Sequence, residues 1–429
     1  MRFLLVLLAL AFPAGAAAAP VLGVYSDDER GGAPLQQAAV GFQSVRQAWA
    51  WRTIEPHRGE FDWSATDAAV RDAGRHGLTI LPFLLDPPAW AAATHDQGMS
   101  PPRRVADFAA FAAAAVRRYG RHGTFRDGRP IRVWQIWNEP NLVTFLRPEP
   151  DAAGYVKLLR AAARRIHAVD RGATVLAAGL PDSASGVPQA TYLRRLYAAG
   201  LRGAADALAI HAYAPDVVGV LALVSRTRAL MRTHGDWATP LWITEYGFAT
   251  AGEDSLFTVS ERDQAAYIGA TAWSLRALAG RLRLGGLFLF GWRDPAEHFL
   301  GVDIWPYHAG LLTADGEFKP SIQTLTNALG APVSDLPVRP FRLKLRAQLK
   351  GRRLRVRCSA RCTLGAVLVH RIPREGRVPT LRVNGRWSQR LPARRWRTIR
   401  VLGPGTRVEV SAITASGAAA RRTLELRDG

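Results

Sequence analysis

Two glutamates of this 429-residue chain each follow directly on a short apolar segment. Glu139 lies in the run W-N-E-P, and Glu245 lies in the run T-E-Y-G. Hydrolysis of a glycosidic bond requires two carboxyl groups, because one protonates the leaving oxygen while the other attacks the anomeric carbon or activates water. The two motifs therefore predict that Glu139 and Glu245 act as a pair on a glycosidic bond.

The elements that must position this pair are short apolar strands alternating with amphipathic helical segments, a pattern typical of parallel βαβ units. Eight strands in about 300 residues predict a closed (β/α)8 TIM barrel, with both glutamates at its C-terminal face. An open doubly wound sheet is the alternative, but Gly31-Gly32 does not form its phosphate-binding motif. The expected strands are Val21–Tyr25, Ser44–Ala48, Leu78–Leu84, Ile131–Trp137, Thr174–Ala178, Ala207–His211, Leu241–Thr244 and Gly286–Phe290.

The sequence around Glu139 poses a geometric problem. In a regular strand Asn138 and Glu139 would point to opposite faces of the sheet. A bulge or the end of the strand would let both side chains reach the barrel mouth.

The chain contains no H-E-x-x-H, G-x-S-x-G or P-loop motif, so metalloprotease, esterase and nucleotide-binding functions lack support. We expect neither a metal nor a cofactor.

From Val21 to Leu329 the sequence resembles clan A of the glycoside hydrolases, the 4/7 superfamily, and is most similar to families 39 and 5. The resemblance implies a retaining mechanism, with Glu139 as general acid/base and Glu245 as nucleophile. Gln135 departs from the pattern, because many relatives carry glutamate there. The motifs that carry the resemblance are Val45-Arg46 through Trp51, Ile54-Glu55-Pro56, Gly59, Phe61-Asp62-Trp63, Pro87, Trp90, Trp137 through Asn141, His211-Ala212-Tyr213, Thr244 through Gly247 and Lys319-Pro320.

The same resemblance implies further contacts in the site. Asn138 should bind the sugar 2-hydroxyl, and Trp292 should form the floor of the subsite for the cleaved sugar. Trp90 is a candidate for stacking on sugar, and His211 either bonds a sugar hydroxyl or belongs to the core. The expected substrate-binding residues are Arg46, Trp90, Asn138, His211, Tyr213 and Trp292.

The two catalytic roles require different pKa values. Arg46 and Tyr213 should bond and orient Glu245 and lower its pKa, so that it stays ionised for attack. Partial burial and the charge of Glu245 should raise the pKa of Glu139, so that it begins protonated.

The first residues have the composition of a secretory signal, which we assign to residues 1–19. Arg2 precedes the apolar run Phe3–Phe12, and Ala16–Ala19 supplies small residues for cleavage. An uncleaved anchor is the alternative, but a transmembrane helix needs about 20 apolar residues. We therefore expect a secreted, extracellular protein and not an integral membrane protein.

A second domain is predicted after the barrel, which we place at residues 20–329. Residues 330–340 contain three prolines and read as a linker, and residues 341–429 alternate apolar and polar positions as in an antiparallel β-sandwich. Of the net charge of +22, most lies here, because residues 336–429 hold 24 arginines and lysines against 4 acidic residues. Such a surface would bind an acidic polymer or cell wall. A solvated polar face is the alternative, and nucleic acid would bind only non-specifically.

Cys358 and Cys362 are the only cysteines of the chain. In an exported protein a local disulfide is the expected state. A metal site is the rival interpretation, but only His370 lies nearby to complete it.

These observations together predict a secreted retaining glycoside hydrolase that cleaves a β-linked poly- or oligosaccharide and serves polysaccharide degradation. Two alternatives stay open. A transglycosylase would use the same residues to remodel glycans, and a non-catalytic carbohydrate-binding protein would use the barrel as a scaffold.

Overall fold

The computed structural model describes residues 19–27, 33–94, 99–183, 185–253, 255–296 and 303–330, and the backbone of strands between residues 345 and 425. The first eight strands are β1 (Val21–Tyr25), β2 (Ser44–Ala50), β3 (Thr79–Leu85), β4 (Val133–Ile136), β5 (Thr174–Pro181), β6 (Ala207–His211), β7 (Leu241–Tyr246) and β8 (Leu284–Leu289). The described helices are α1 (Ala33–Val40), α2 (Trp51–Ile54), α3 (Ser64–Arg75), α4 (Val105–Tyr119), α5 (Ala152–Val169), α6 (Gln189–Ala198), α7 (Val217–Thr233), α8 (Glu261–Leu282) and α9 (Ser321–Leu329).

Strands β1 to β8 form one closed parallel barrel in sequence order, and β8 closes it by pairing with β1. Helices separate most successive strands, as the right-handed crossovers of parallel strands require. This confirms the predicted (β/α)8 barrel. It also places the C-terminal end of β4, which precedes Glu139, and that of β7, which contains Glu245, at the same mouth.

The barrel interior is filled by side chains and is not a channel. Leu81, Leu176, Trp242 and Phe288 are buried together inside it. Trp242 fits because its neighbour on β8 has no side chain: a Cβ on Gly286 would lie 2.2 Å from the indole ring. The packed floor leaves the mouth as the end of the barrel where polar side chains can meet a ligand.

The helices begin where the sequence supplies capping groups. Asp151 accepts hydrogen bonds from the backbone of the first turn of α5, Asp216 does the same for α7, and Ser260 for α8. These side chains satisfy amide groups that a helix leaves without partners.

The C-terminal region forms antiparallel sheets. One has the order β14-β10-β9, and the other has the order β12-β11-β15-β16, with β13 also pairing with β11. Its strands are β9 (Leu345–Lys350), β10 (Arg353–Cys358), β11 (Cys362–Val369), β12 (Leu381–Arg382), β13 (Gln389–Leu391), β14 (Arg397–Arg400), β15 (Arg407–Ile413) and β16 (Ala419–Glu425). Antiparallel pairing agrees with the prediction, while the face-to-face packing of a sandwich stays a prediction.

Three predictions lie outside the described part of the structure. They are the signal peptide up to residue 18, the linker from residue 331 onward, and the disulfide between the side chains of Cys358 and Cys362. Among the described residues, every helix is too short or too polar to cross a bilayer.

Candidate active site

The chain beyond β4 turns so that two adjacent side chains face the mouth. Trp137 has φ 68° and Glu139 has φ 45°, left-handed values that end the alternation of the strand. Asn138 then accepts a hydrogen bond from Nη2 of Arg46 at 2.8 Å, and Glu139 meets His211. In a regular strand these two side chains would point to opposite faces of the sheet, and the irregular strand end lets both reach the mouth.

Arg46, on β2, lies at the centre of the site with no solvent exposure. Its Nη1 donates to Oε1 of Glu245 at 2.6 Å, and its Nε donates to Oε1 of Gln135 at 3.2 Å. The guanidinium also lies 4.1 Å from the ring centroid of Phe83. A planar group held on three sides in this way offers a fixed positive charge to Glu245.

Both oxygens of Glu245 are engaged, since Tyr213 donates its hydroxyl proton to Oε2 at 2.6 Å. Burial and the charge of Glu245 raise the pKa of Tyr213 well above its ordinary value, so the phenol keeps this proton. Burial raises the pKa of Glu245 itself, while Arg46 and Tyr213 oppose that rise. The expectation that these two partners would bring the pKa of Glu245 below its ordinary value is therefore corrected, because burial outweighs them.

His211 is fully buried between the two glutamates, and burial together with Arg46 holds its pKa well below the ordinary value. The ring is therefore neutral. Its Nε2 faces Nη2 of Arg46 at 3.4 Å, and because a guanidinium only donates, Nε2 must be the acceptor. The ring proton then sits on Nδ1, which lies 2.6 Å from Oε1 of Glu139 and 3.3 Å from Oε2 of Glu245. His211 thus links the two carboxyl groups. The sequence had suggested only that it bonds a sugar hydroxyl or belongs to the core.

Glu139 has the properties of an acid that begins protonated. Burial and the charge of Glu245 raise its pKa well above the ordinary value, in the direction predicted from the sequence. His211 occupies only Oε1, and none of the described residues hydrogen-bonds Oε2. The second oxygen is therefore open to a leaving group.

Glu139, His211 and Glu245 each offer a ligand atom, and these atoms all lie within 4.8 Å of one another. Such a trio has the donor types of a metal site. However, Arg46 already places a positive charge 2.6 Å from Glu245, so a cation bound here would be repelled by the guanidinium. The arrangement suits two carboxyl groups that differ in proton affinity.

The two predicted sugar-contacting tryptophans are less open than expected. Trp292 is only 1% exposed and packs in the core, and its Nε1 has no hydrogen-bond partner among the described residues. Trp90 is half-buried, with the guanidinium of Arg58 4.4 Å from its ring centroid and its Nε1 donating to the backbone oxygen of Glu55. Their roles at the substrate stay predictions.

An aromatic cluster lies beside Glu245, and of its members only the buried Tyr213 was predicted from the sequence. Trp305 lies 4.9 Å from Tyr213 and 5.0 Å from Phe257 between ring centroids, and Tyr25 stacks on Phe290 at 5.1 Å. We call these five residues the aromatic wall. Tyr25 and Phe290 stand at strand ends and could have been found by position, whereas Phe257 and Trp305 lie in loops that carry no periodic signal.

Strand β5 leaves room near the mouth for the side chains of His211 and Gln135. Its pairing with β6 shifts between Ala178 and Leu180, and Ala178 has φ 65°. At Gly179, with φ 114°, a Cβ would lie 2.7 Å from Nε2 of His211 and 2.9 Å from Nε2 of Gln135. Only glycine fits there, because both polar groups stand where a side chain would be.

Fold and site together define a (β/α)8 barrel whose two carboxyl groups, at the ends of β4 and β7, face each other across the mouth. No protein-family model matches the sequence, and no curated protein matches it. Solved structures do match. A monomeric β-xylosidase from Caulobacter crescentus CB15 superposes with a TM-score of 0.58 at 18% identity, over 85% of this chain and 77% of that one.

Two further structures match similarly. A family 39 glycoside hydrolase from Bacteroides cellulosilyticus WH2 has a TM-score of 0.57 at 19% identity, covering 83% of this chain and 74% of that one. A family 5 enzyme, GH5_18 of Streptomyces cattleya, was solved in complex with Manβ1-4GlcNAc. It has a TM-score of 0.55 at 19% identity, over 74% of this chain and 82% of that one. The chain therefore has the fold of glycoside hydrolases of families 39 and 5, which confirms the resemblance found in the sequence.

Proposed function

We propose that this protein is a retaining glycoside hydrolase acting on β-linked sugars. The observation that carries the proposal is the pair of carboxyl groups, which stand in different environments and bring one oxygen of each to within 4.8 Å of the other. Retaining enzymes hold these groups about 5–5.5 Å apart, whereas inverting enzymes leave about 6.5–9.5 Å for a water molecule. The shorter spacing favours a double displacement.

In the first step Glu245 attacks the anomeric carbon while Glu139 donates its proton to the leaving oxygen. Arg46 and Tyr213 favour the ionised nucleophile, and burial favours the protonated acid. The glycosidic bond breaks, and a covalent ester forms between the sugar and Glu245.

In the second step Glu139 acts as base. Ester formation removes the negative charge of Glu245, which had raised the pKa of Glu139. Glu139 can then hold the ionised state, accept a proton from water and direct the resulting hydroxide to the anomeric carbon. The ester bond to Glu245 breaks as the hydroxide attacks, and Glu245 regains its carboxylate. The sugar leaves with its original configuration, and Glu139 is protonated again.

The aromatic wall supports the assignment to sugars. Pyranose faces are apolar, and half-buried rings offer them contact area at small entropic cost. Asn138 adds a polar contact, because its oxygen is held by Arg46 and its amide nitrogen has no bond to a described residue. The β-linkage and the poly- or oligosaccharide class follow the enzymes that share the fold, a β-xylosidase and one bound to Manβ1-4GlcNAc.

A pair of variants tests the roles of the two carboxyl groups. On an activated aryl β-glycoside, Glu245→Ala should lower turnover by several orders of magnitude, and added azide should restore activity with a glycosyl azide of inverted configuration. Azide should instead give the retained configuration with Glu139→Ala, because the glycosyl ester still forms. Glu261→Ala, on the exposed first turn of α8, is the control and should keep wild-type rates.

The stereochemistry of the wild-type reaction is a second readout. Proton NMR of the first product should show the anomeric configuration of the substrate. An inverted first product, or a Glu245→Ala variant with wild-type turnover, would contradict the double displacement.

We further propose that the protein is exported and contributes to polysaccharide degradation outside the cell. The support is the basic, apolar and small-residue order of residues 1–19. N-terminal sequencing of protein recovered from the outside should find the chain cut near Ala18 or Ala19.

A further inference from the structure

Gln135 is a fully buried amide on β4, four residues before Glu139. Its Nε2 donates to the backbone oxygen of Trp137 at 2.9 Å and to that of Ala178 at 2.6 Å. Its Oε1 accepts from Nε of Arg46 at 3.2 Å. All three contacts lie beneath the pair of carboxyl groups.

In this chain an amide satisfies all three contacts, whereas many relatives carry glutamate at the position. Two carbonyl oxygens need donors, and the Arg46 nitrogen needs an acceptor. A carboxylate at position 135 would serve Arg46 but would face two carbonyl oxygens with no proton to give. It would also be one more negative charge competing for the single guanidinium that Glu245 uses.

The two carbonyl groups belong to unusual backbone. Trp137 and Ala178 are both non-glycine residues with left-handed φ, the first directly after β4 and the second at the bulge inside β5. Such conformations persist only where surrounding contacts hold them. The turn at Trp137 is also what brings Asn138 and Glu139 to the same mouth, so the Gln135 amide fixes the backbone from which the acid projects.

We propose that Gln135 is a positioning residue for the general acid Glu139, acting by holding the turns at Trp137 and Ala178. The inference rests on the proposed function of the Glu139 and Glu245 pair. It makes a statement about Glu139 and not about the nucleophile: a misplaced Glu139 impairs protonation of the leaving oxygen in the first step, while Glu245 keeps its contacts with Arg46 and Tyr213.

The test compares aryl glycosides that differ in their need for an acid. A dinitrophenolate leaves without protonation, whereas a weakly acidic phenol must be protonated as the bond breaks. Since kcat/KM reports the steps up to the first bond cleavage, Gln135→Met should lower it at least about tenfold for the weakly acidic phenol. For the dinitrophenyl substrate it should change less than about threefold.

The matched control is Gln189→Met on α6. Gln189 is also a buried amide that donates to a strand backbone, with Nε2 2.7 Å from the oxygen of Leu180, and its Oε1 accepts from Thr227. Its loss should change kcat/KM for both substrates by the same factor. Thermal unfolding of each variant shows whether the fold survives.

If Gln135→Met does not fold, the isosteric Gln135→Glu keeps the test available. It should show the same selective loss, and its added buried acid should shift the basic limb of kcat/KM to higher pH. An equal loss for both leaving groups would reduce Gln135 to a structural residue and overturn the inference. A wild-type protein inactive on every glycoside would instead refute the proposed function.

Discussion

Arg46 contacts four polar side chains of the candidate site. Through its three nitrogens it contacts Glu245, Asn138, Gln135 and His211. Because His211 is neutral, the positive charge beside the two carboxyl groups comes from this guanidinium. One cation for two carboxyl groups leaves one of them better stabilised as an anion, and contact decides that it is Glu245.

Tyr213→Phe should show how much of that stabilisation the phenol supplies. The hydroxyl lowers the pKa of Glu245, so its loss raises that pKa, and the acid limb of kcat/KM should move to higher pH. We expect kcat/KM at the optimum to fall about 10- to 100-fold, the effect of about one strong hydrogen bond to a charged group. Tyr197→Phe, which removes a hydroxyl bonded to Asp236 far from the mouth, should leave the profile unchanged. If the acid limb of kcat/KM does not move, the Tyr213 hydrogen bond does not stabilise ionised Glu245 over its protonated form.

At the scale of elements, the segments after β7 and β8 supply Phe257, Phe290 and Trp305 of the aromatic wall, and one buried lysine ties these segments together. Lys319, just before α9, donates to the hydroxyl of Thr250 at 2.9 Å and to the backbone oxygen of His308 at 3.1 Å. It also pairs with Asp294 at 2.6 Å. These bonds fix the segment that carries Trp305, whose backbone amide donates to Glu253.

Trp305→Ala should weaken substrate binding more than catalysis. Removal of one aromatic contact costs about 0.5–1.5 kcal/mol, so KM should rise about three- to tenfold while kcat falls less. Trp237→Ala is the control, because Trp237 is 58% exposed on the loop before β7, at the opposite end of the barrel. An unchanged KM for Trp305→Ala would exclude the aromatic wall from the substrate site.

The elements were easier to predict than their ends. Strands β1 and β6 begin and end where the apolar pattern places them, because periodicity reports burial directly. The predicted fourth strand instead ran to Trp137, while β4 stops at Ile136, since the left-handed turn at Trp137 depends on its contacts with the Gln135 amide and with Leu84 of β3. The meeting of Glu139 and Glu245 at the barrel mouth could be predicted from strand ends and motif chemistry. The link through His211 and the loop residue Trp305 could not, because both depend on distances between segments far apart in sequence.

At the scale of the whole molecule, charge is divided unequally along the chain. The C-terminal region carries 24 arginines and lysines against 4 acidic residues, beside a barrel region that is nearly neutral. We propose that this region holds the enzyme on acidic polymers such as cell-wall glycans. Arginine suits this role because its planar fork bonds carboxylate and phosphate groups in pairs.

The full chain should therefore be retained by acidic polysaccharides at low salt and released as salt rises, since exposed charges are screened over about 10 Å at 0.1 M salt. Neutral polysaccharides should retain it equally at every salt concentration. A chain truncated after Gly330 is the comparison and should lose the salt-dependent part. Retention that is the same for acidic and neutral polymers would leave the basic region without this role.

The bulge in β5 bears on how this sequence can change over time. Gly179 offers no functional group, yet alanine there would meet both His211 and Gln135 and would also have to adopt φ 114°. In a library of single substitutions sorted by activity, position 179 should therefore tolerate no replacement, as if it were itself catalytic. Its neighbours inside β5 should accept other small apolar residues. A map of mutational tolerance would thus mark the position that makes room for His211 and Gln135 as strictly as it marks Glu139 and Glu245.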